Sequence, residues 1–307
     1  MAVDSLRVIC GPTAAGKSAL AMALARRIPL AVLSADSRQI YRGFDIGTAK
    51  PTLGEQRAVP HRGIDLVDPG ERYSAAAWAD AALGWIDEVE RAGRTPVVVG
   101  GTGFYVRALT APLFEEPPLD PARRMRLQGA LDALPTAELR RWCARLDPER
   151  AALGRAQLVR AIEVALLTGV PISRWHARAA RAPRVRARYL VVDPGPPLRD
   201  RIAARVHAML AAGWEGEVAA LDARVREDAP AWNATGYATV RDIVRGRVDR
   251  RAAIDRIIID TRQYAKRQRT WLRHQLDHAH VTRLDPTSPD ALARAEAWWH
   301  ERDEDEG

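Results

Sequence analysis

Short apolar runs alternate with amphipathic segments along the first 110 residues of the chain. Runs with the length and composition of buried strands occur at 6–10, 30–34, 60–67 and 95–99. Helix-forming segments follow at 19–27 and 74–91, and Ser74 stands where a helix N-cap is expected. Strands that alternate with helices in this way predict an α/β fold, in which helices flank a parallel sheet.

The pattern changes after a proline-rich, acidic stretch at 112–121, which we interpret as a linker. Strand signals then vanish, and helices are predicted at 123–134, 136–146 and 155–168. A strand at 184–193 restores the first pattern, and further helices are predicted at 198–212, 214–228 and 255–276. We therefore expect an α/β core formed by 1–115 and 184–307, which is interrupted by an all-helical insertion at 116–183.

Composition narrows the function classes. The 307 residues carry 47 basic and 39 acidic side chains, a net charge of +8. This excess favours a nucleic-acid partner, although solvated surface arginines would also produce it. Two cysteines are too few for a disulfide framework. No apolar run approaches the ~18 residues of a membrane span, so we expect a cytoplasmic protein.

A phosphate-binding loop follows the first predicted strand. Residues 11–18 read GPTAAGKS and match G-x-x-x-x-G-K-[ST] without a mismatch. The loop consists of Gly11, Pro12, Thr13, Ala14, Ala15, Gly16, Lys17 and Ser18. Glycines in such a loop let backbone N–H groups curl around phosphate oxygens at a helix N-terminus. Lys17 supplies a charge for the terminal phosphate, and the Ser18 hydroxyl is placed to hold Mg²⁺. The motif predicts a P-loop NTPase-like sheet that binds a di- or triphosphate.

Two further segments follow predicted strands. Asp36 comes after the second strand, at the edge of the sheet where ligands bind. A carboxylate there can hold Mg²⁺, cap a helix or act as a general base. The sequence GGTG at 100–103 offers the Thr102 hydroxyl as a second donor to phosphate. No strand ends in a convincing acidic residue for nucleotide hydrolysis, which counts against an ordinary NTPase.

The last long helix combines cations with aromatic residues. Between 255 and 276 it carries Arg256, Arg262, Tyr264, Lys266, Arg267, Gln268, Arg269, Trp271 and Arg273. Mixed cations and aromatics suit phosphates and stacked bases of RNA, whereas a solvated basic helix is the alternative. Arg205, in the helix at 198–212, can reach a phosphate or remain on the surface.

Taken in order, these segments resemble the tRNA dimethylallyltransferase (tRNA isopentenyltransferase) family. The matching pieces cover nearly the whole chain and are GPTAAGKS at 11–18, SADSRQIY at 34–41, GTAKP at 47–51, HRGID at 61–65, VVVGGTGFY at 97–105, RAIEV at 160–164 and TRQYAKRQRTWLRHQ at 261–275.

The resemblance implies transfer of a dimethylallyl group from dimethylallyl diphosphate to N6 of adenosine 37, beside the tRNA anticodon. It implies that Asp36 is the general base, and that Lys17, Ser18 with Mg²⁺, Thr102 and Arg205 stabilise the leaving diphosphate. It also implies a monomer. Residues that match tRNA-contacting positions of the family are Asp36, Ser37, Arg38, Gln39, Thr102, Arg124, Gln157, Arg160, Gly236, Tyr237, Lys266, Arg267, Gln268, Trp271 and Arg273.

The chain departs from the family pattern at Arg38, Gln157 and Ala238. Two other functions remain open. One is prenylation of a free adenine nucleotide, as in adenylate isopentenyltransferases, although the arginine-rich insertion and basic C-terminal helix argue against it. The other is a P-loop kinase for a nucleotide or another small molecule, which the phosphate-binding loop alone would favour.

Overall fold

The computed structural model describes residues 5–111, 119–178, 184–276 and 280–301. The chain divides into two compact units, one formed by Met1–Thr110 with Val185–Gly307, the other by Ala111–Arg184. Most of the predicted linker, 112–118, lies outside the described residues. None of the helices in the described ranges combines the length and apolarity needed to cross a membrane.

The first unit contains a parallel sheet. Its strands are β1 (Leu6–Cys10), β2 (Leu30–Ala35), β3 (His61–Arg62), β4 (Thr95–Gly100), β5 (Ala187–Val192) and β6 (Val281–Leu284). They lie in the order β3-β2-β4-β1-β5-β6, and every neighbouring pair is parallel. All residues of β1 and β2 are buried, as expected for strands covered on both faces. The parallel sheet predicted from the alternating pattern is confirmed.

Helices surround this sheet and form the second unit. In the first unit they are α1 (Lys17–Ala25), α2 (Leu53–Ala58), α3 (Ala75–Arg91) and α4 (Gly103–Thr110). In the second they are α5 (Pro121–Asp132), α6 (Thr136–Leu146), α7 (Arg155–Thr168) and α8 (Ile172–Arg178). The first unit resumes with α9 (Leu198–Ala211), α10 (Trp214–Asp222), α11 (Tyr237–Val244), α12 (Arg250–Gln275) and α13 (Ala291–His300).

The core of the first unit is closed by the end of the chain. Trp298 and Trp299 of α13 pack in one apolar cluster with Ile9, Val99 and Leu190 of the sheet. Arg7 of β1, although charged, is only 9% exposed. Its guanidinium donates to the Trp299 carbonyl oxygen at 3.1 and 3.0 Å. Neither β6 nor α13 was anticipated, because each depends on this long-range packing more than on a local pattern.

Several predicted bounds differ from the structure for identifiable reasons. The strand expected at 60–67 is limited to His61–Arg62, because Gly63 and Asp65 adopt positive φ angles of 82° and 52° that end it. The helix expected at 214–228 ends at Asp222. The long basic helix begins five residues early, since the Asp249 carboxylate accepts from the N–H of Ala252 at 2.8 Å and caps it. The Ser74 cap of α3 is confirmed.

Candidate active site

The phosphate-binding loop connects β1 to α1 at the carboxyl edge of the sheet. Gly16 has a φ of 102°, in the left-handed region where glycine is favoured. Gly11 is needed for a different reason, because a Cβ atom there would lie 2.2 Å from the carbonyl oxygen of Val192 in β5. The helix starts at Lys17, so its N-terminal N–H groups and positive dipole end lie at this loop.

Lys17 is a half-buried cation without a carboxylate partner. Its Nζ donates to the Pro12 carbonyl oxygen at 2.8 Å, and in the described part of the chain no carboxylate lies within ion-pair distance of it. Burial, together with the nearby Arg205 charge, lowers the pKa of Lys17 to about 8, although Asp36 opposes this shift. A cation that has no opposite charge beside it in the protein is strongly stabilised when an anionic ligand binds.

Arg205 of α9 brings a second cation to the same place. Burial lowers the pKa of its guanidinium, and Asp36 opposes the shift. No described residue accepts a hydrogen bond from it, and it borders the cavity that also contains Lys17 and Ser18. Two cations that converge without a carboxylate in contact form a site for a highly charged anion such as a diphosphate.

Asp36 and Thr102 meet because β2 and β4 are neighbours in the sheet. Asp36 directly follows β2, and its Oδ1 accepts from the N–H of Arg38 at 2.9 Å. Thr102 follows β4, and its Oγ1 accepts from the N–H of Ser37 at 3.0 Å. The Thr102 hydroxyl also lies 3.3 Å from the Ser37 hydroxyl. The two segments that sequence analysis singled out separately therefore form one edge of the site.

A cavity of about 690 Å³ is lined by Lys17, Asp36 and Arg205, whereas Thr102 does not border it. Its polar lining includes Lys17, Ser18, Asp36, Arg205 and Tyr264. Its apolar lining comes from Ala21 and Met22 of α1, Val32 and Val99 of the sheet, and Ala208, Met209 and Ala212 of α9. A smaller space of about 60 Å³ is also bordered by Asp36 and Arg205. The lining suits a ligand that carries both anionic and hydrocarbon parts.

Tyr264 is a site residue that sequence analysis noted only as an aromatic within α12. Its ring borders both cavities. Burial and the Asp36 charge raise the pKa of its hydroxyl to about 12, although a hydrogen bond with Thr102 opposes the shift. Its spacing of four residues from Gln268, which lines the larger cavity with it, is the signal that would have placed both on one helix face.

The residues matched to tRNA-contacting positions fall into three groups. Lys266, Arg267 and Arg273 are exposed on α12. Ser37, Arg38, Gln39 and Trp271 are partly exposed. Tyr237 and Gln268 are buried, and their polar side-chain atoms form hydrogen bonds with other residues of the protein. Gly236 touches Trp214, since a Cβ atom there would lie 2.4 Å from its ring.

Tyr237 supports the loop that follows Phe44. Its hydroxyl donates to Oε1 of Glu217 at 2.6 Å and accepts from the N–H of Gly47 at 3.1 Å. The other oxygen of Glu217 accepts from the N–H groups of Asp45 and Ile46. Glu217 was not singled out in the sequence, because a glutamate on an amphipathic helix gives no local signal of a buried role.

In the second unit, α5, α6 and α7 pack around an apolar cluster that includes Leu131, Leu139 and Leu158. Glu163 is 1% exposed there. It accepts from Arg124 at 2.8 Å and also pairs with Arg160. The Gln157 side chain accepts from the N–H of Gly154 at 3.0 Å at the start of α7. The tRNA-binding role of this unit stays a prediction.

The fold and the site together are those of a P-loop-type transferase, in which unpaired cations, carboxylates and an apolar lining share one cavity. Comparisons with known proteins identify its family. The model of the IPP transferase family matches residues 39–275, and that of isopentenyl transferases matches 4–61. The chain belongs to the IPP transferase family and is a prenyltransferase.

Relatives named tRNA dimethylallyltransferase extend over nearly the whole chain. The protein of Anaeromyxobacter sp. (strain K) is 43% identical over 294 residues, which is 94% of this chain and 96% of that one. The protein of Halorhodospira halophila is 44% identical over 287 residues, 90% of this chain and 92% of that one.

Solved structures of related enzymes have a fold similar to that of this chain. The tRNA isopentenylpyrophosphate transferase of Bacillus halodurans has a TM-score of 0.67 at 33% identity and covers 96% of this chain and 95% of its own. A eukaryotic dimethylallyltransferase acting on tRNA has a TM-score of 0.79 at 25% identity and covers 96% of this chain and 77% of its own.

Proposed function

We propose that this protein transfers the dimethylallyl group of dimethylallyl diphosphate to N6 of adenosine 37, next to the anticodon of tRNA, and releases diphosphate. The observation that carries the proposal is the cavity in which two cations without carboxylate partners, Lys17 and Arg205, lie with Asp36 and an apolar lining. The named relatives supply the identity of the acceptor RNA.

The chemistry requires three things of the site. The exocyclic amine of adenine is a weak nucleophile, because its lone pair is delocalised into the ring. As N6 bonds to C1 of the allyl group, the C1–O bond breaks and its electron pair leaves with the diphosphate. The N6 proton is accepted by the Asp36 carboxylate. Lys17, Arg205 and the N–H groups of the loop then neutralise the charge that develops on the leaving oxygen.

A magnesium ion fits this site through the ligand's own oxygens. The described residues contain no cluster of three or more His, Cys, Asp or Glu side chains that could hold a metal. Mg²⁺ characteristically uses few protein ligands and completes its shell with phosphate oxygens and water. Ser18, whose side chain is exposed and borders the cavity, would contribute its hydroxyl. When bound, the ion would add positive charge beside the departing diphosphate.

The RNA surface is supported by charge and exposure. Lys266, Arg267 and Arg273 are exposed on α12, and the chain has a net charge of +8. Exposed cations bind RNA phosphates with an affinity that falls as salt rises. The target base must leave its stack to reach Asp36. We further expect the protein to act as a monomer, in the cytoplasm, on its tRNA.

One assay distinguishes the proposed function from its two alternatives, a free-nucleotide prenyltransferase and a kinase. The protein is incubated with labelled dimethylallyl diphosphate and either unmodified tRNA or AMP, and in parallel with ATP and small acceptors. Label in tRNA alone supports the proposal. Label in AMP would support a free-nucleotide prenyltransferase, and turnover of ATP without tRNA labelling would support a kinase.

Asp36→Ala should lower the rate of transfer about 10³-fold, because a positioned base typically contributes about 10²–10⁴-fold. Binding of tRNA, measured by gel shift, should remain near the wild-type value. Asp36→Asn is the matched control, since it can still accept from the N–H of Arg38 but cannot take a proton. Near-wild-type turnover by both variants would refute the assignment of the base.

A further inference from the structure

The amide of Gln268 joins the two glycine-rich loops of the site. Its Oε1 accepts from the N–H of Thr13 in the phosphate-binding loop at 2.8 Å. Its Nε2 donates to the carbonyl oxygen of Gly101 in the second loop at 2.9 Å. The residue is 8% exposed, and both bonds are partly buried.

Helix α12 also packs closely against the second glycine-rich loop. A Cβ atom at Gly101 would lie 2.3 Å from Nε2 of Gln268. One turn further along α12, the Trp271 ring would lie 2.3 Å from a Cβ atom at Gly103. Glycine at both positions therefore allows α12 to approach the loop that carries Thr102.

Helical spacing separates this inward face from the charged face of α12. Tyr264, Gln268 and Trp271 follow at i, i+4 and i+7, so they lie on one side of the helix. The Thr102 hydroxyl lies close enough to Tyr264 to lower the pKa of its phenol. Lys266 and Arg273 lie on the opposite side of the helix and are exposed. The same segment therefore has one face that holds the catalytic loops and another that is open to a polyanion.

We propose that Gln268 is a positioning residue, which sets the distance between the loop that grips diphosphate and the loop that carries Thr102. The N–H of Thr13 donates to Gln268. This hydrogen bond holds the phosphate-binding loop in the curved shape that a diphosphate needs. This role replaces the direct tRNA contact expected for Gln268 from family resemblance. The inference rests on the proposed function for its substrate, and it concerns the geometry of the same site.

The test separates ligand binding from RNA binding. Gln268→Met has a similar length but can neither accept from Thr13 nor donate to Gly101. We expect it to weaken the binding of inorganic diphosphate with Mg²⁺, measured by calorimetry, about tenfold, since buried groups lose partners on both loops. The KM for dimethylallyl diphosphate should rise and kcat should fall, whereas the Kd for an anticodon stem-loop should stay unchanged.

Arg273→Gln is the matched control on the same helix, because Arg273 is exposed and lies on the side opposite Gln268. We expect it to weaken stem-loop binding and flatten its salt dependence, with no change in diphosphate binding. Gln268→Asn retains a buried amide but is one methylene shorter, and it should reproduce the diphosphate defect if the Met variant does not fold. Melting curves establish that the variants compared are folded.

The inference is overturned if Gln268→Met or Gln268→Asn weakens stem-loop binding and leaves diphosphate binding unchanged, because Gln268 would then be an RNA contact. It is also overturned if a folded variant binds both ligands as the wild type does. Diphosphate binding does not depend on prenyl transfer, so a wild-type protein that fails to modify tRNA would refute the proposed function without deciding the role of Gln268.

Discussion

Lys17 and Lys50 border the same cavity but have opposite surroundings. Lys17, in the phosphate-binding loop, donates only to a backbone carbonyl oxygen in the described structure. Lys50, in the loop that follows Phe44, donates to the Tyr41 carbonyl oxygen at 2.8 Å and to Oδ1 of Asp65 at 2.6 Å, and also pairs with Asp45. Lys50 is neutralised by the protein, whereas Lys17 is left for a ligand.

The difference teaches how to separate a structural cation from a functional one. Burial does not explain the difference, since the neutralised lysine, Lys50, is the more buried of the two. The distinguishing feature is the partner, because a buried charge without an opposite charge is costly to the fold. Such a charge lowers the free energy of unfolding of the protein, and it strengthens the binding of an anionic ligand.

The largest effect expected from this comparison is that of Lys17→Met. Transfer should fall about 10²–10³-fold, because the variant removes a cation that acts on the leaving diphosphate in a water-poor cavity. Thermal stability should be unchanged or higher at pH 7, since the lost charge has no carboxylate partner. A variant that keeps wild-type kcat/KM for dimethylallyl diphosphate would remove Lys17 from the proposed mechanism.

The pH dependence of transfer is a second test of the role of the Lys17 charge. Folding lowers the pKa of Lys17 from 10.5 to about 8, so the free enzyme loses this positive charge as the pH rises through about 8. At saturating tRNA, kcat/KM for dimethylallyl diphosphate should decline by about tenfold for each pH unit above that value. Lys17→Arg, which stays charged, should lack this decline. A profile of the wild type that is flat to pH 10 would contradict the assignment.

Stability should change in the opposite direction over the same range. Between about pH 8 and 10.5, the unfolded chain holds the Lys17 proton more tightly than the folded chain. The free energy of unfolding contributed by this group therefore rises with pH. Urea titrations at pH 7.5 and 10 measure the rise, and the contribution should be absent from Lys17→Met.

Lys50→Met is expected to affect stability more than chemistry. It leaves the buried Tyr41 carbonyl oxygen without this donor and removes both ion pairs, which should cost about 2 kcal/mol. Arg42→Gln is the control, because Arg42 and its partner Asp68 are 52% and 66% exposed and such pairs contribute about 0–1 kcal/mol. If Lys50→Met melts like the wild type, the contrast between the two lysines fails.

Much of the fold and part of the site follow from local patterns. The phosphate-binding loop is eight consecutive residues, and its shape is set by glycines within it. Asp36 and Thr102 could be placed because side chains that follow parallel strands meet at one edge of the sheet. Glu217 and the buried face of α12 could not be placed in this way. Gln268 bonds to a residue 255 positions away in the chain, and no local pattern reports such a contact.

The amino-acid sequence by itself determined that the chain forms a parallel α/β sheet, that it carries a P-loop motif, and that Asp36 follows a strand of that sheet. These features depend on hydrophobic period and backbone sterics, which act over a few residues. Only the tertiary structure decided which cations have carboxylate partners and which side of α12 faces the loops. Charge pairing and helix orientation depend on packing between segments far apart in the chain.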